Sequence, residues 1–183
     1  VIEIDAAKLV ASLYLGGTVL ALRALLLALG KDSRLAFFSV PVIFNSLFLM
    51  GLLPFLVGIP FFFGALALAI KHFEKPGVVR GLALGLTCLA LFYLHIVPYA
   101  LFGVGFAALF PWSKPRQWLA FASPIIPSMV AAAHWMFGTD AGRITRTAGA
   151  HTTPLVEKVT GVGQWLTDLF YDPSATILFV AFV

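Results

Sequence analysis

The 183-residue chain is 61% hydrophobic and 11% charged, with a mean hydropathy of +0.99. A water-soluble domain carries roughly a quarter charged residues, so composition excludes a soluble globular protein. The net charge of +4 and the pI near 9.5 come from basic residues scattered at the ends of apolar runs, not from a basic stripe, which excludes a nucleic-acid surface. The runs recur at about the 20-residue length that a bilayer core about 30 Å thick demands of a helix. They are rich in Leu, Ala and Phe without the polar alternation of a barrel wall. The fold class is therefore all-α: a polytopic transmembrane helix bundle of about six to seven spans, forming one transmembrane domain with the lipid bilayer as its partner.

The chain opens on "VIEID", an acidic start unlike a signal peptide, and its last residues, Ser174 to Val183, form an apolar run too short to cross a bilayer. The expectation is a piece of a longer protein. The first span runs from about Leu9 to Leu29 and stops at "GKDSR", where Gly30 suits a helix end and Lys31 and Arg34 suit the C-terminal dipole. From Leu35 to Ile70 no charge interrupts the chain. One helix of that length would measure about 54 Å, too long for an ordinary crossing, so the spacing predicts a hairpin. Its turn falls near "MGLLP", between helices at about Leu35 to Met50 and Phe55 to Ile70. Val78 to Phe110 poses the same length problem, and there the interruption is "HIVP", which places His95 at a second hairpin tip. The next helix, about Trp118 to Phe137, holds Pro124 and Pro127 and should kink. Residues 138–173 form the one long polar stretch, ending in an amphipathic helix at about 159–171, where Val162, Trp165, Leu166, Leu169 and Phe170 recur at helical spacing.

If each hairpin returns to its starting side, Lys31, Arg34, Lys71, Lys75, Arg80, Lys114 and Arg116 share one face, which the positive-inside rule makes cytoplasmic. The opposite face receives the acidic start, the Gly51 to Pro54 turn, His95 and the long polar stretch.

Ionisable groups at membrane depth are costly and are candidates for function. Arg23 can reach the interface by snorkelling, and His134, beside Trp135, suits an interfacial anchor. His95 has two readings, a turn residue bonding to backbone and a ligand-facing group. Asn45 needs an interhelical hydrogen bond in lipid. Arg143, Arg146 and His151 suit either a solvated loop or a grip on an anionic group, because Arg presents a forked donor to phosphate. "GLALG", Gly81 to Gly85, is a small-xxx-small pair that lets helices approach closely. The lone Cys88 reads as a small core residue. Walker A, CxxC and HExxH patterns and paired intramembrane acids are absent from the sequence, so neither a metal nor a cofactor is implied.

"PVIFNSLFLMGLLPFLVGIPFFFGALALAI", the link "KHFEKPGVVR" and "LALFYLHIVPYALFGVGFAALF" together resemble a stretch of uncharacterised bacterial polytopic membrane proteins related to the GT-C glycosyltransferases. Asn45, Gly51, Phe55, Gly58, Pro60 and His95 carry the resemblance, over about residues 37–110. It implies a bacterial inner-membrane enzyme that takes a sugar from a polyprenyl-phosphate lipid at the outer face, using an acidic residue of an early outer loop as base. That loop would fall upstream of Val1, so no catalytic residue carries over, and Glu3 and Asp5, before the first helix, are at best its tail. The expected substrate contacts are His95, Arg143, Arg146 and Asn45. The alternative is a non-catalytic subunit that packs against other membrane subunits.

Overall fold

The computed structural model describes residues 2–43 and 53–144, and all the regular structure among them is helical. Helix α1 (Ile2–Ala28) leads into a 3₁₀ helix (Ser33–Ser39) and the short α2 (Val40–Ile43). Then follow α3 (Leu53–Glu74), α4 (Val78–Leu94), α5 (Ile96–Leu109), and a final passage in which α6 (Trp118–Ala122), a 3₁₀ turn (Ser123–Ile125) and α7 (Ile126–Gly138) continue one another. Three stretches are long and apolar enough to cross a membrane, Lys8–Ala28, Pro54–Glu74 and Pro115–Gly138, while α4 and α5 are shorter apolar helices. The chain is an all-α membrane protein.

Each break has a local cause. Gly30, at φ +68, ends α1. Its N–H donates to the Leu27 carbonyl at 3.1 Å and the Lys31 N–H to the Leu26 carbonyl at 2.8 Å, the double bond of a Schellman end. The Asp32 carboxylate then accepts from the Arg34 N–H at 2.9 Å and starts the 3₁₀ helix. At the far end of α3, the Arg80 guanidinium donates at 3.0 Å to the Lys75 carbonyl and, at 3.3 Å, gives a second donor to the Lys71 carbonyl, which already accepts the Lys75 N–H. The Trp112 indole does the same for the Ala107 carbonyl of α5, at 3.0 Å.

The contacts fix the directions of the helices. Tyr14 shares a cluster with Leu56, the Pro60 ring lies against Gly17, and Leu25 and Ala28 join the core with Ala65 and Ala69, so α1 and α3 run parallel. Helix α4 returns antiparallel, and α5 turns again beside α3, with Gly58 against Pro98, Gly105 against Leu66 and Phe73 stacked edge-on with Phe106 at 5.1 Å. The final passage descends along α4 and α5, placing Pro124 against Gly81 and Gly85 and Ser128 beside Tyr99. Ends of helices carrying Lys71, Lys75, Arg80, Lys114 and Arg116 thereby gather at one end of the bundle, and α1 brings Lys31 and Arg34 to it. An aromatic cluster of Phe73, Phe110, Trp112, Trp118 and Phe121 packs beneath that end.

Three expectations need correction. Glu3 and Asp5 do not stand before the first helix but within its first two turns. A helix continues beyond the apolar span, and acidic residues are favoured near its N-terminus. The chain after Leu35 begins as a 3₁₀ helix and reaches α-helical geometry only at Val40, because an uncharged run does not by itself select the hydrogen-bond register. The helix expected to end at Ile70 continues to Glu74, where Lys71 complements its C-terminal dipole. The turn near Gly51 and the amphipathic helix at 159–171 lie outside the described residues.

The small-xxx-small pair is a seat for the proline break. A Cβ on Gly85 would stand 2.8 Å from the Pro124 carbonyl oxygen, whereas one on Gly103 would meet nothing within 4 Å. Gly85→Ala is therefore expected to cost about 1–3 kcal/mol. Gly103→Ala should be neutral or stabilising by under about 1 kcal/mol. Thermal unfolding of both variants in detergent checks this, and equal effects would remove the Pro124 contact as the cause.

Candidate functional site

His95 occupies the hairpin tip that the sequence predicts. It is the one residue between α4 and α5, extended at φ −167 and ψ 133, and it closes one helix while opening the next. Its N–H donates to the Leu91 carbonyl at 3.1 Å. Its Nδ1 accepts from the Val97 N–H at 3.2 Å, so the imidazole takes the place that Ser, Asp or Asn usually fills at a helix start. Pro98 follows within the first turn, where a missing N–H costs no helical bond. Phe55 of α3 presents its ring edge-on to the imidazole at 5.2 Å. With Nδ1 committed as an acceptor, the neutral ring carries its proton on Nε2, which leaves one donor available at the tip.

One turn further along α5, the Tyr99 hydroxyl donates to Ser128 Oγ at 3.1 Å, and the Ser128 hydroxyl in turn donates to the Ile125 carbonyl at 2.8 Å. This chain of donors joins α5 to α7. An apolar groove of about 390 Å³ begins at Tyr99 and runs between the two helices past Ala100, Gly103, Ala107 and Met129.

Arg143 lies in the helical residues 140–144 that follow α7, and its guanidinium pairs with Asp140 one turn earlier, at 3.1 Å, with both side chains largely exposed. An exposed pair of this kind contributes little stability. His95 and Arg143 occupy the same end of the bundle but are held by different neighbours. Asn45 and Arg146 lie outside the described residues. Arg23 and His134 are both exposed on their helices. Cys88 is fully buried in the core. Among the described residues no group of three His, Cys, Asp or Glu side chains could hold a metal ion.

Sequence reasoning passed over His72, which reads as part of a basic link. It is buried, with Nε2 3.0 Å from the Ala120 carbonyl. The signal that could have found it is Pro124: a proline leaves the carbonyl four residues earlier without its helical partner, and that carbonyl belongs to Ala120.

No family model, curated protein or solved structure matches the chain.

Replacing His95 by Ala removes the acceptor for the Val97 N–H and should cost about 1 kcal/mol, while Asn, a strong N-cap, should recover most of it. Thermal unfolding of the two variants in detergent measures the difference, and identical losses would show that the cap contributes nothing.

Proposed function

We propose that the chain is the membrane module of a GT-C-like glycosyltransferase, holding a lipid-phosphate-linked sugar at the face opposite its basic end. By the positive-inside rule the basic end is cytoplasmic and the His95 tip faces outward across a bacterial inner membrane. The observation that carries the reading is the state of His95. Its Nδ1 is consumed by the cap, so its Nε2–H is a fixed donor, one turn from an apolar groove that begins at Tyr99. A polyprenyl phosphate has the complementary form, an anionic head for the imidazole and a long apolar chain for the groove. Arg143, at the same end and paired with Asp140 at the surface, carries a forked donor suited to phosphate.

A second reading, a non-catalytic subunit that packs against other membrane proteins, is favoured by the local occupations of His95 and Arg143, each of which has a structural partner already. One substitution separates the two. His95→Asn keeps an acceptor for Val97 and loses the Nε2 donor. The transferase reading expects about tenfold weaker polyprenyl-phosphate binding, the equivalent of one charge-assisted hydrogen bond, with unchanged thermal unfolding. Unchanged binding, measured on the full natural protein in nanodiscs, leaves the subunit reading.

A further inference from the structure

The second place of interest lies at the opposite end of the bundle and is independent of the reading above. Pro124 has no N–H, so the Ala120 carbonyl lacks its i+4 donor, and His72 Nε2 supplies one across 3.0 Å. A carbonyl only accepts, which assigns the hydrogen to Nε2 and leaves Nδ1 as the second polar atom of the ring. His72 is only 3% exposed, and its Nδ1 is buried without a hydrogen-bond partner. An unpaired buried polar atom is costly and calls for an explanation.

The His72 ring lines a groove of about 560 Å³ between the start of α4 and the Pro124 break. A Cβ on Gly81 would stand 3.4 Å from the ring's Cε1, so it is the absent side chain that leaves this edge of the imidazole facing the groove. At the head of the groove stand Gly77 and Val78. Gly77 is the N-cap of α4 and has no side chain with which to cap it. The first intrahelical bond is Gly81 N–H to the Gly77 carbonyl, at 2.8 Å. The N–H groups of Val78, Val79 and Arg80 therefore precede the ladder, at the positive end of the helix dipole. Lys71, Lys75 and Arg80 surround this end, against one carboxylate, Glu74, which Lys71 holds at 3.1 Å. Descending into the membrane, the groove is walled by Leu82 and Leu86.

We propose that this groove binds an anionic membrane lipid with a hydroxylated headgroup, its phosphate at the open N–H groups of α4, a headgroup hydroxyl donating to His72 Nδ1, and its acyl chain lying along Leu82 and Leu86. The phosphate would sit at the level of the basic loops. The apolar wall from Val78 to Leu86 extends about 12 Å along the helix, a length that a free phosphate would leave unused and that an acyl chain fills.

Two substitutions isolate the site. His72→Gln keeps an amide donor for the Ala120 carbonyl and removes Nδ1. Val78→Pro places proline at the first helical position, where it is favoured, after a Gly77 whose extended φ −165, ψ 150 already suits a residue preceding proline, and it deletes one groove N–H. The full protein, extracted in detergent with equal phosphatidylglycerol and phosphatidylcholine, is examined by native mass spectrometry. The parent should retain phosphatidylglycerol preferentially, each variant should lose that preference by about fivefold or more, as the loss of one hydrogen bond is worth, and thermal unfolding should stay the same. Excess inorganic phosphate should leave the lipid in place. A parent without preference, variants that bind as the parent does, or displacement by inorganic phosphate would each overturn the proposal. Should His72→Gln fail to fold, Val78→Pro decides alone.

Discussion

A bilayer offers backbone N–H and C=O groups no solvent to bond with, and the arrangement of this protein follows from that constraint. Where a helix stops or breaks within the apolar layer, its open groups need substitute partners inside the protein. The chain finds them in side chains. His95 Nδ1 receives the Val97 N–H, His72 serves the carbonyl that Pro124 strands, Arg80 covers the end of α3, and the Tyr14 hydroxyl donates to the Ile43 carbonyl at 2.9 Å from a helix away. Two of these four polar side chains are histidines, a residue that a sequence reader takes first for chemistry. In both, one nitrogen does a structural task and the other is left over, so structure and a possible site share a ring.

Glycine and proline provide the complementary fit. Gly58 admits the Pro98 ring, Gly17 lies against Pro60 and Gly85 admits the Pro124 carbonyl. These contacts put the breaks of one helix against the bare backbone of another, so helices interrupted by proline still pack closely. The same choice leaves grooves beside the breaks, one running from Tyr99 between α5 and α7, the other beside His72. Grooves of this kind on the flank of a bundle are open to lipid, which is why both functional readings concern lipid ligands rather than soluble ones.

Much of the fold was legible in the sequence because the bilayer sets lengths. The excess length of Val78 to Phe110 required a turn, and "HIVP" was the place for it. "GKDSR" carried its stop in Gly30, and Pro124 announced the break after α6. The start at Glu3 and Asp5 was misjudged because charge ends an apolar span without ending a helix. The 3₁₀ segment at Ser33–Ser39 left no trace in composition, since apolar residues suit either register. His95 was found because it interrupts an apolar run. His72 was not, because its burial depends on a carbonyl 48 residues away, and that pairing appears only once the proline break is brought against α3.

The account stands on one claim about placement: the basic helix ends share one side of the membrane and the His95 tip occupies the other. Cys88 is fully buried, so single cysteines can be introduced at Lys75 and at Val97 with little background. Labelling each with a membrane-impermeant maleimide in intact cells and in inverted vesicles reads the two positions directly. The account predicts that the cysteine at 97 labels from outside and the one at 75 only in inverted vesicles. Labelling of both from the same side would contradict it.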